Sequence, residues 1–163
     1  MTEITLAAPN DYKQIAYLGF IIWNEHYTPI IGAEQVAYML EKFQSEKAIQ
    51  QQVKEGFEYY LITFETVPVG YICIKKKRDA LFLSKIYVLS NYRGKKIGKT
   101  AMQFVERRAN TLHCKNIELT VNKYNVNSIK AYEKLGFKTV EALVMDIGNG
   151  FVMDDYRMVK PIN

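Results

Sequence analysis

The stretch Leu83–Arg108, LSKIYVLSNYRGKKIGKTAMQFVERR, carries the most legible chemistry in the chain. Its pattern is a strand, a short loop and a helix. The loop, Arg93-Gly94-Lys95-Lys96-Ile97-Gly98, mixes small residues with cations, and Lys99 follows. Gly94 and Gly98 let a backbone turn tightly and come close to a ligand. The first amides of the following helix have no intrahelical acceptor, and the helix dipole adds partial positive charge. Such an arrangement can cradle a pyrophosphate. A Walker A loop is the competing reading, because Gly94–Thr100 spells GKKIGKT. That motif needs four residues between its first Gly and the Gly-Lys pair. Only Lys95-Lys96-Ile97 stand there, so the amide ring would not close.

A second block lies downstream: Asn125-Val126-Asn127-Ser128-Ile129-Lys130-Ala131-Tyr132-Glu133-Lys134-Leu135-Gly136-Phe137. It reads as a short helix over 128–135, with Asn127 as N-cap and Gly136 as stop. The two blocks together resemble the GNAT N-acetyltransferase superfamily. Arg93 and Gly98 match the ends of its pyrophosphate-loop pattern, Arg/Gln-x-x-Gly-x-Gly/Ala. Lys96 stands where that pattern has its middle glycine, a departure that fits the loop if the position has a negative φ and contributes only its amide. The second block is similar to the family's Asn-x-x-Ala-x-x-x-Tyr-x-Lys-x-Gly-Phe, with Ser128 in place of Ala. The resemblance is close over about 57–160 and looser over the N-terminal helices. It includes bacterial polyamine N-acetyltransferases through Trp23–Phe43.

The resemblance implies acetyl-CoA as cosubstrate and no metal. It implies that Ile86, Tyr87 and Val88 offer backbone groups to the pantetheine arm. Arg93, Gly94, Lys95, Lys96, Ile97, Gly98 and Lys99 would hold the pyrophosphate. Asn125 would hydrogen-bond the cofactor arm, although Asn equally suits a helix start. Lys134 would reach a phosphate, or else it belongs to a solvated face. Tyr132 matches the family's general acid; a phenol of pKa ~10 is protonated at neutral pH and can donate to a departing thiolate. The bland alternative for Tyr132 is a core aromatic. Many relatives carry a basic Glu near the place of Ser84. Here that duty passes to another carboxylate, Glu25 first, with Glu34, Asp154 and Asp155 or a water as alternatives. His26 beside Glu25 reads better as structural.

These residues need a scaffold. Residues 3–8 alternate like a strand. Pro9-Asn10-Asp11 opens a helix with Ile15, Leu18 and Ile22 on its apolar face. Thr28-Pro29 and Gly32 break it. Val36, Met39, Leu40 and Phe43 mark a second helix, and 45–55 a third, more exposed one. Phe57–Phe64, Tyr71–Ile74 and Leu81–Val88 read as strands, with Val67-Pro68-Val69-Gly70 as a turn and Lys75-Lys76-Lys77-Arg78 as a hairpin tip. A helix from Ile97, a strand over 117–121 and strands near 138–147 and 151–159 complete the order, the last two joined at Gly148-Asn149-Gly150. The expectation is an α+β, single-domain GNAT-like fold over 1–163, with a mixed, mostly antiparallel sheet of about seven strands flanked by helices.

Composition fits that expectation. The chain has 163 residues, 48% hydrophobic and 24% charged, enough for one core. Two cysteines, Cys73 and Cys114, form no CxxC or Cys/His cluster, so neither zinc nor a disulfide framework is expected. The longest uncharged run, Gln14–Asn24, is 11 residues, too short for a bilayer. Met1-Thr2-Glu3 opens without a basic or apolar leader, so a cytoplasmic protein is expected. Net charge is +5, yet residues 1–74 carry −5 and 75–108 carry +9. The basic middle suits an anionic ligand, and the acidic N-terminal part suits a cationic acceptor. Nucleic acid is not expected, because the basic segment lacks a helix-turn-helix or an aromatic-basic stripe. The acceptor expected is a small-molecule amine, such as a polyamine. A protein N-terminus or lysine is the alternative, and a catalytically silent CoA-binding module is the other class. Relatives often pair through their sheets, so a homodimer stays open.

Overall fold

The computed structural model describes residues 1–162. The strands are β1 (Thr2–Leu6), β2 (Glu58–Phe64), β3 (Val67–Lys77), β4 (Ala80–Val88), β5 (Asn116–Asn122), β6 (Lys138–Gly148) and β7 (Phe151–Pro161). The helices are α1 (Tyr12–His26), α2 (Thr28–Ile31), α3 (Ala33–Met39), α4 (Glu46–Lys54), α5 (Ile97–Thr111) and α6 (Val126–Lys134). The sheet order is β1-β2-β3-β4-β5-β7-β6. Pairs β1–β2, β2–β3, β5–β7 and β6–β7 are antiparallel, and β4–β5 is parallel. The parallel pair needs a long crossover, which α5 supplies. This is the α+β architecture that the order of elements predicts.

Contacts divide the chain into two compact units. The first comprises Met1–Lys75 and Leu83–Arg107. Its core forms where α1 buries Tyr12, Ile15, Leu18 and Ile22 with Ile49, Tyr59, Tyr71 and Cys73. Gly19 is required in α1: a Cβ there would stand 2.8 Å from the Tyr71 hydroxyl oxygen. That hydroxyl donates to Gln44 Oε1 at 2.7 Å. Gln44 ends a wide, π-type turn over Leu40–Gln44, where the sequence predicts plain helix. Side chains satisfy the turn's carbonyl at Phe43: Lys85 Nζ donates to it at 2.5 Å and Gln52 Nε2 at 3.0 Å. The second unit comprises Lys76–Phe82 and the chain from Arg108 onward. It buries Ile117, Leu119 and Val121 of β5 with Phe137 and Met158.

Two turns differ from expectation. Val67-Pro68-Val69-Gly70 is not a turn but the start of β3. The turn is Glu65-Thr66, both at positive φ (48° and 70°), between the paired Phe64 and Val67. A two-residue hairpin needs φ > 0 at both positions, normally through Asn or Gly. Here strand pairing imposes it on residues that carry no such signal. Lys75–Lys77 likewise continue β3, and the tip is Arg78-Asp79, with Arg78 at φ 56°. Asn149-Gly150, which does carry the signal, turns as expected at φ 56° and 80°.

Lys85 is 5% exposed, and burial lowers its pKa to about 8. Folded protein therefore gives up this proton near pH 8, whereas the unfolded chain keeps it to its ordinary 10.5. Between those values the unfolded state binds more protons, so stability rises with pH. Cys73 opposes this. Burial pushes its thiol up to about 11, so its stabilisation is lost above the ordinary 9.0. The buried phenols Tyr59 and Tyr71 act in the same direction at higher pH. Urea denaturation should show stability increasing by about 1 kcal/mol from pH 7 to 9, then turning over. Lys85→Met should flatten the rise. Its partners stay satisfied, because Tyr59 Oη–H donates to Gln52 Oε1 and Gln52 Nε2 to Phe43 O. A rise that survives in the variant would show that Lys85 is not its source.

Candidate active site

β4 pairs with β5 only through Ala80↔Asn116, Leu81↔Ile117 and Phe82↔Glu118. From Leu83 to Val88 that edge of β4 pairs with no β5 residue among the described residues. An unpaired strand edge can bind an extended amide-bearing ligand. On its other side β4 is held close. A Cβ at Gly70 would stand 2.1 Å from the Tyr87 carbonyl oxygen and 3.1 Å from Val88 Cα, and Leu89 N donates to Val69 O at 2.8 Å. Only glycine permits this approach. The sequence offers Gly70 as a turn residue, and the structure makes it the position over which β4 ends. The Tyr87 ring packs edge-on against Trp23, Tyr27 and Tyr71 at 6.0, 6.5 and 5.5 Å. Its side chain is thus structural. Ile86 and Val88 are half-buried.

After Leu89 the chain makes a 3-10 turn, Ser90–Tyr92, and reaches the loop. Gly94 takes φ +81°. Lys96 takes φ +62°, which corrects the negative φ expected from its side chain. This is the left-handed backbone that glycine adopts freely, and α5 starts immediately after it. Holding lysine there costs roughly 1 kcal/mol relative to glycine. Thr100 N and Oγ1 both donate to Lys96 O at 3.1 Å, so the amides of Ile97, Gly98 and Lys99 form the open first turn. Ile97, 2% exposed, anchors that turn. Gly98 lies within the helix, and a Cβ on it would meet nothing within 4 Å. Neither its backbone geometry nor any neighbouring atom requires glycine, and the space beside these amides is open. Arg93, Lys96 and Lys99 are exposed, while Lys95 Nζ sits 5.6 Å from the Phe64 ring centre.

Beside the end of β4 is a cavity of 130 Å³ lined by Ile22, Glu25, His26, Val88, Ser90 and Arg93. Ser90 Oγ–H donates to Glu25 Oε1. This joins the last turn of α1 to the turn that leads into the loop. The His26 ring stands edge-on to Tyr27 at 4.8 Å. Ser90 escapes sequence reading, since its partner lies 65 residues away with no local motif. Ser84 lies beside the buried thiol of Cys73 and helps to lower its pKa against the effect of burial. Glu34 is exposed in the first turn of α3.

The remaining expected residues lie in the second unit. α6 begins at Val126 with Asn125 as N-cap, two residues before the expected Asn127. Asn125 O accepts from Ile129 N at 3.1 Å, and its own N–H donates to Asn122 O at 3.0 Å. The two asparagines have equal propensity; this turn off β5 decides between them. Asn125 is 4% exposed. Tyr132 is half-buried, its ring edge-on to Phe137 at 5.6 Å. Lys134 is exposed in the last turn, and Gly136 at φ +100° ends the helix. Lys123 Nζ pairs with Asp154 Oδ1 at 2.7 Å. Among the described residues no group of three or more His, Cys, Asp or Glu could hold a metal ion, and no helix is long and apolar enough to cross a membrane.

The profile of the acetyltransferase (GNAT) family matches residues 20–137. A curated spermidine N(1)-acetyltransferase of Thermoplasma acidophilum is 25% identical over 160 residues, 93% of this chain and 95% of its own. The fold overlays on the PaiA N-acetyltransferase of T. acidophilum, crystallised with coenzyme A, at TM-score 0.81, with 20% identity and 99% of each chain covered. A ribosomal-protein-alanine N-acetyltransferase of Escherichia coli overlays at TM-score 0.76, with 18% identity over 100% of this chain and 95% of that one. A free edge on β4, a glycine-spaced loop feeding an open helix turn, and a family profile spanning most of the chain agree: the protein belongs to the GNAT family and is an acetyl-CoA-dependent acetyltransferase.

Proposed function

We propose that residues 1–163 act as one N-acetyltransferase domain whose acceptor is a polyamine. The unpaired edge of β4 carries this reading, together with the open first turn of α5. Acetyl-CoA supplies the activated acyl group. The main chain of Ile86, Tyr87 and Val88 pairs with the pantetheine amides, and a free N–H near Val88 polarises the acyl carbonyl. The amides of Ile97, Gly98 and Lys99 bind the pyrophosphate, with Arg93, Gly94, Lys95 and Lys96 around it. Asn125 steadies the cofactor arm and Lys134 meets the nucleotide phosphate. Glu25, fixed by Ser90, takes the proton of the attacking ammonium, and Tyr132 donates to the departing sulfur. The −5 charge of residues 1–74 and the spermidine-acetylating relative support a polycationic acceptor.

CoA release should be measured with spermidine, spermine, single amino acids and an N-terminal peptide amine. Polyamines should give the highest kcat/KM. Glu25→Gln should lower kcat on them by about 10²-fold or more, as loss of a general base does. A peptide ranking first would move the acceptor to a protein N-terminus. CoA binding without consumption of any amine would leave a silent CoA-binding module.

A further inference from the structure

One small space in the first unit holds two opposite charges. The 130 Å³ cavity beside the end of β4 is lined by Glu25 and by Arg93, a residue of the phosphate-binding loop. Lys95, Lys96 and Lys99 of the same loop do not line it. Ser90 ties the two charged residues to one point. Its Oγ–H donates to Glu25 Oε1, and its carbonyl accepts from Arg93 N at 3.2 Å. The Glu25 carboxylate is thereby held in place. The Arg93 side chain is not held: it is exposed, and its guanidinium makes no hydrogen bond, ion pair or ring contact among the described residues. A guanidinium stays charged at every working pH. With Glu25 ionised, the two charges cancel. A cationic amine entering this space meets attraction from the carboxylate and repulsion from the guanidinium, which also competes for the carboxylate.

We propose that Arg93 couples the two substrates: without CoA its guanidinium keeps a cationic acceptor from Glu25, and the diphosphate of CoA draws it out of the cavity and leaves the carboxylate to the amine. The competition favours the diphosphate. It offers two charges and a fork of oxygens that a guanidinium meets bidentately, whereas one oxygen of Glu25 is already taken by Ser90. The swing needs no movement of the main chain. The Arg93 backbone stays bound to Ser90, and only a side chain without partners turns. Once it has turned, the cavity carries the single negative charge of Glu25. The inference rests on the polyamine reading, because the coupling grows with the charge of the acceptor. It gives Arg93 a part in choosing the acceptor besides holding the phosphates.

Calorimetry tests this without turnover. Spermidine is titrated into wild type and Arg93→Gln, each with and without saturating CoA, at low salt because screening weakens exposed charges. In wild type, CoA should tighten spermidine by about 10-fold or more, and spermidine should tighten CoA by the same factor, since a coupling between two sites is reciprocal. Butylamine, with one charge, should show a smaller factor. The CoA-free Arg93→Gln protein should bind spermidine about 10-fold more tightly than CoA-free wild type, and its coupling should shrink to match. Equal coupling in the two proteins, or a CoA-free affinity that the substitution leaves unchanged, overturns the proposal and leaves the polyamine reading standing. Spermidine that binds neither protein in either state removes the polyamine reading, and this inference with it.

Discussion

Tyr132→Phe should cut kcat by about 10²–10³-fold, the range lost with a general acid, while the affinity for CoA stays at the wild-type value. The substitution removes one oxygen and keeps the ring that packs on Phe137 at 5.6 Å. The backbone beneath is fixed independently: Phe137 N donates to Tyr132 O at 3.0 Å, and Phe137 is 2% exposed. Thermal stability should fall by no more than the net worth of one hydrogen bond, about 1 kcal/mol. The decisive readout is the leaving group. An acyl donor whose thiol is far more acidic than CoA needs no proton on departure, so the penalty should shrink with such a donor. A variant with unchanged kcat would make Tyr132 a packing residue and leave the thiolate to depart unassisted.

The second large effect belongs to Gly70→Ala. A methyl group would sit 2.1 Å from the Tyr87 carbonyl oxygen, and the obstacle is backbone, which cannot rotate aside. Overpacking of this kind costs about 3 kcal/mol. In a chain of this size that lowers the thermal midpoint by roughly 6–12 °C. The strain falls on Tyr87 and Val88, the segment proposed to pair with the pantetheine arm. CoA affinity should therefore fall as well, by about 10-fold, or ~1.4 kcal/mol. Calorimetry below the melting range separates the two effects. A variant as stable as wild type, with unaltered CoA binding, would contradict the close approach of β3 to the end of β4.

Both predictions concern positions the sequence marks unequally. Tyr132 stands inside a contiguous block, and its motif alone points to it. Gly70 looks like one more turn glycine. The loop belongs with Tyr132: Gly94, the open amides of Ile97–Lys99 and the cations around them are neighbours in the chain. Their geometry follows from where a helix starts. Even there, Lys96 shows the limit. Residue type argues for a negative φ, whereas the chain needs φ +62° to enter α5.

What the residues determine by themselves is local. The order of strands and helices, the phosphate-binding loop, the α6 block and the α+β class all follow from short-range pattern, since helix and strand periodicities and glycine spacing act over a few residues. The hairpin at Asn149-Gly150 is of this kind. Tertiary structure decided the rest. Glu25 meets Ser90 across 65 residues, Lys85 is sealed under the turn at Phe43, and Asp154 takes Lys123 from the end of a neighbouring strand. Strand register and helix packing set each of these, because they determine which charges share a space. No window of sequence contains both members of such a pair.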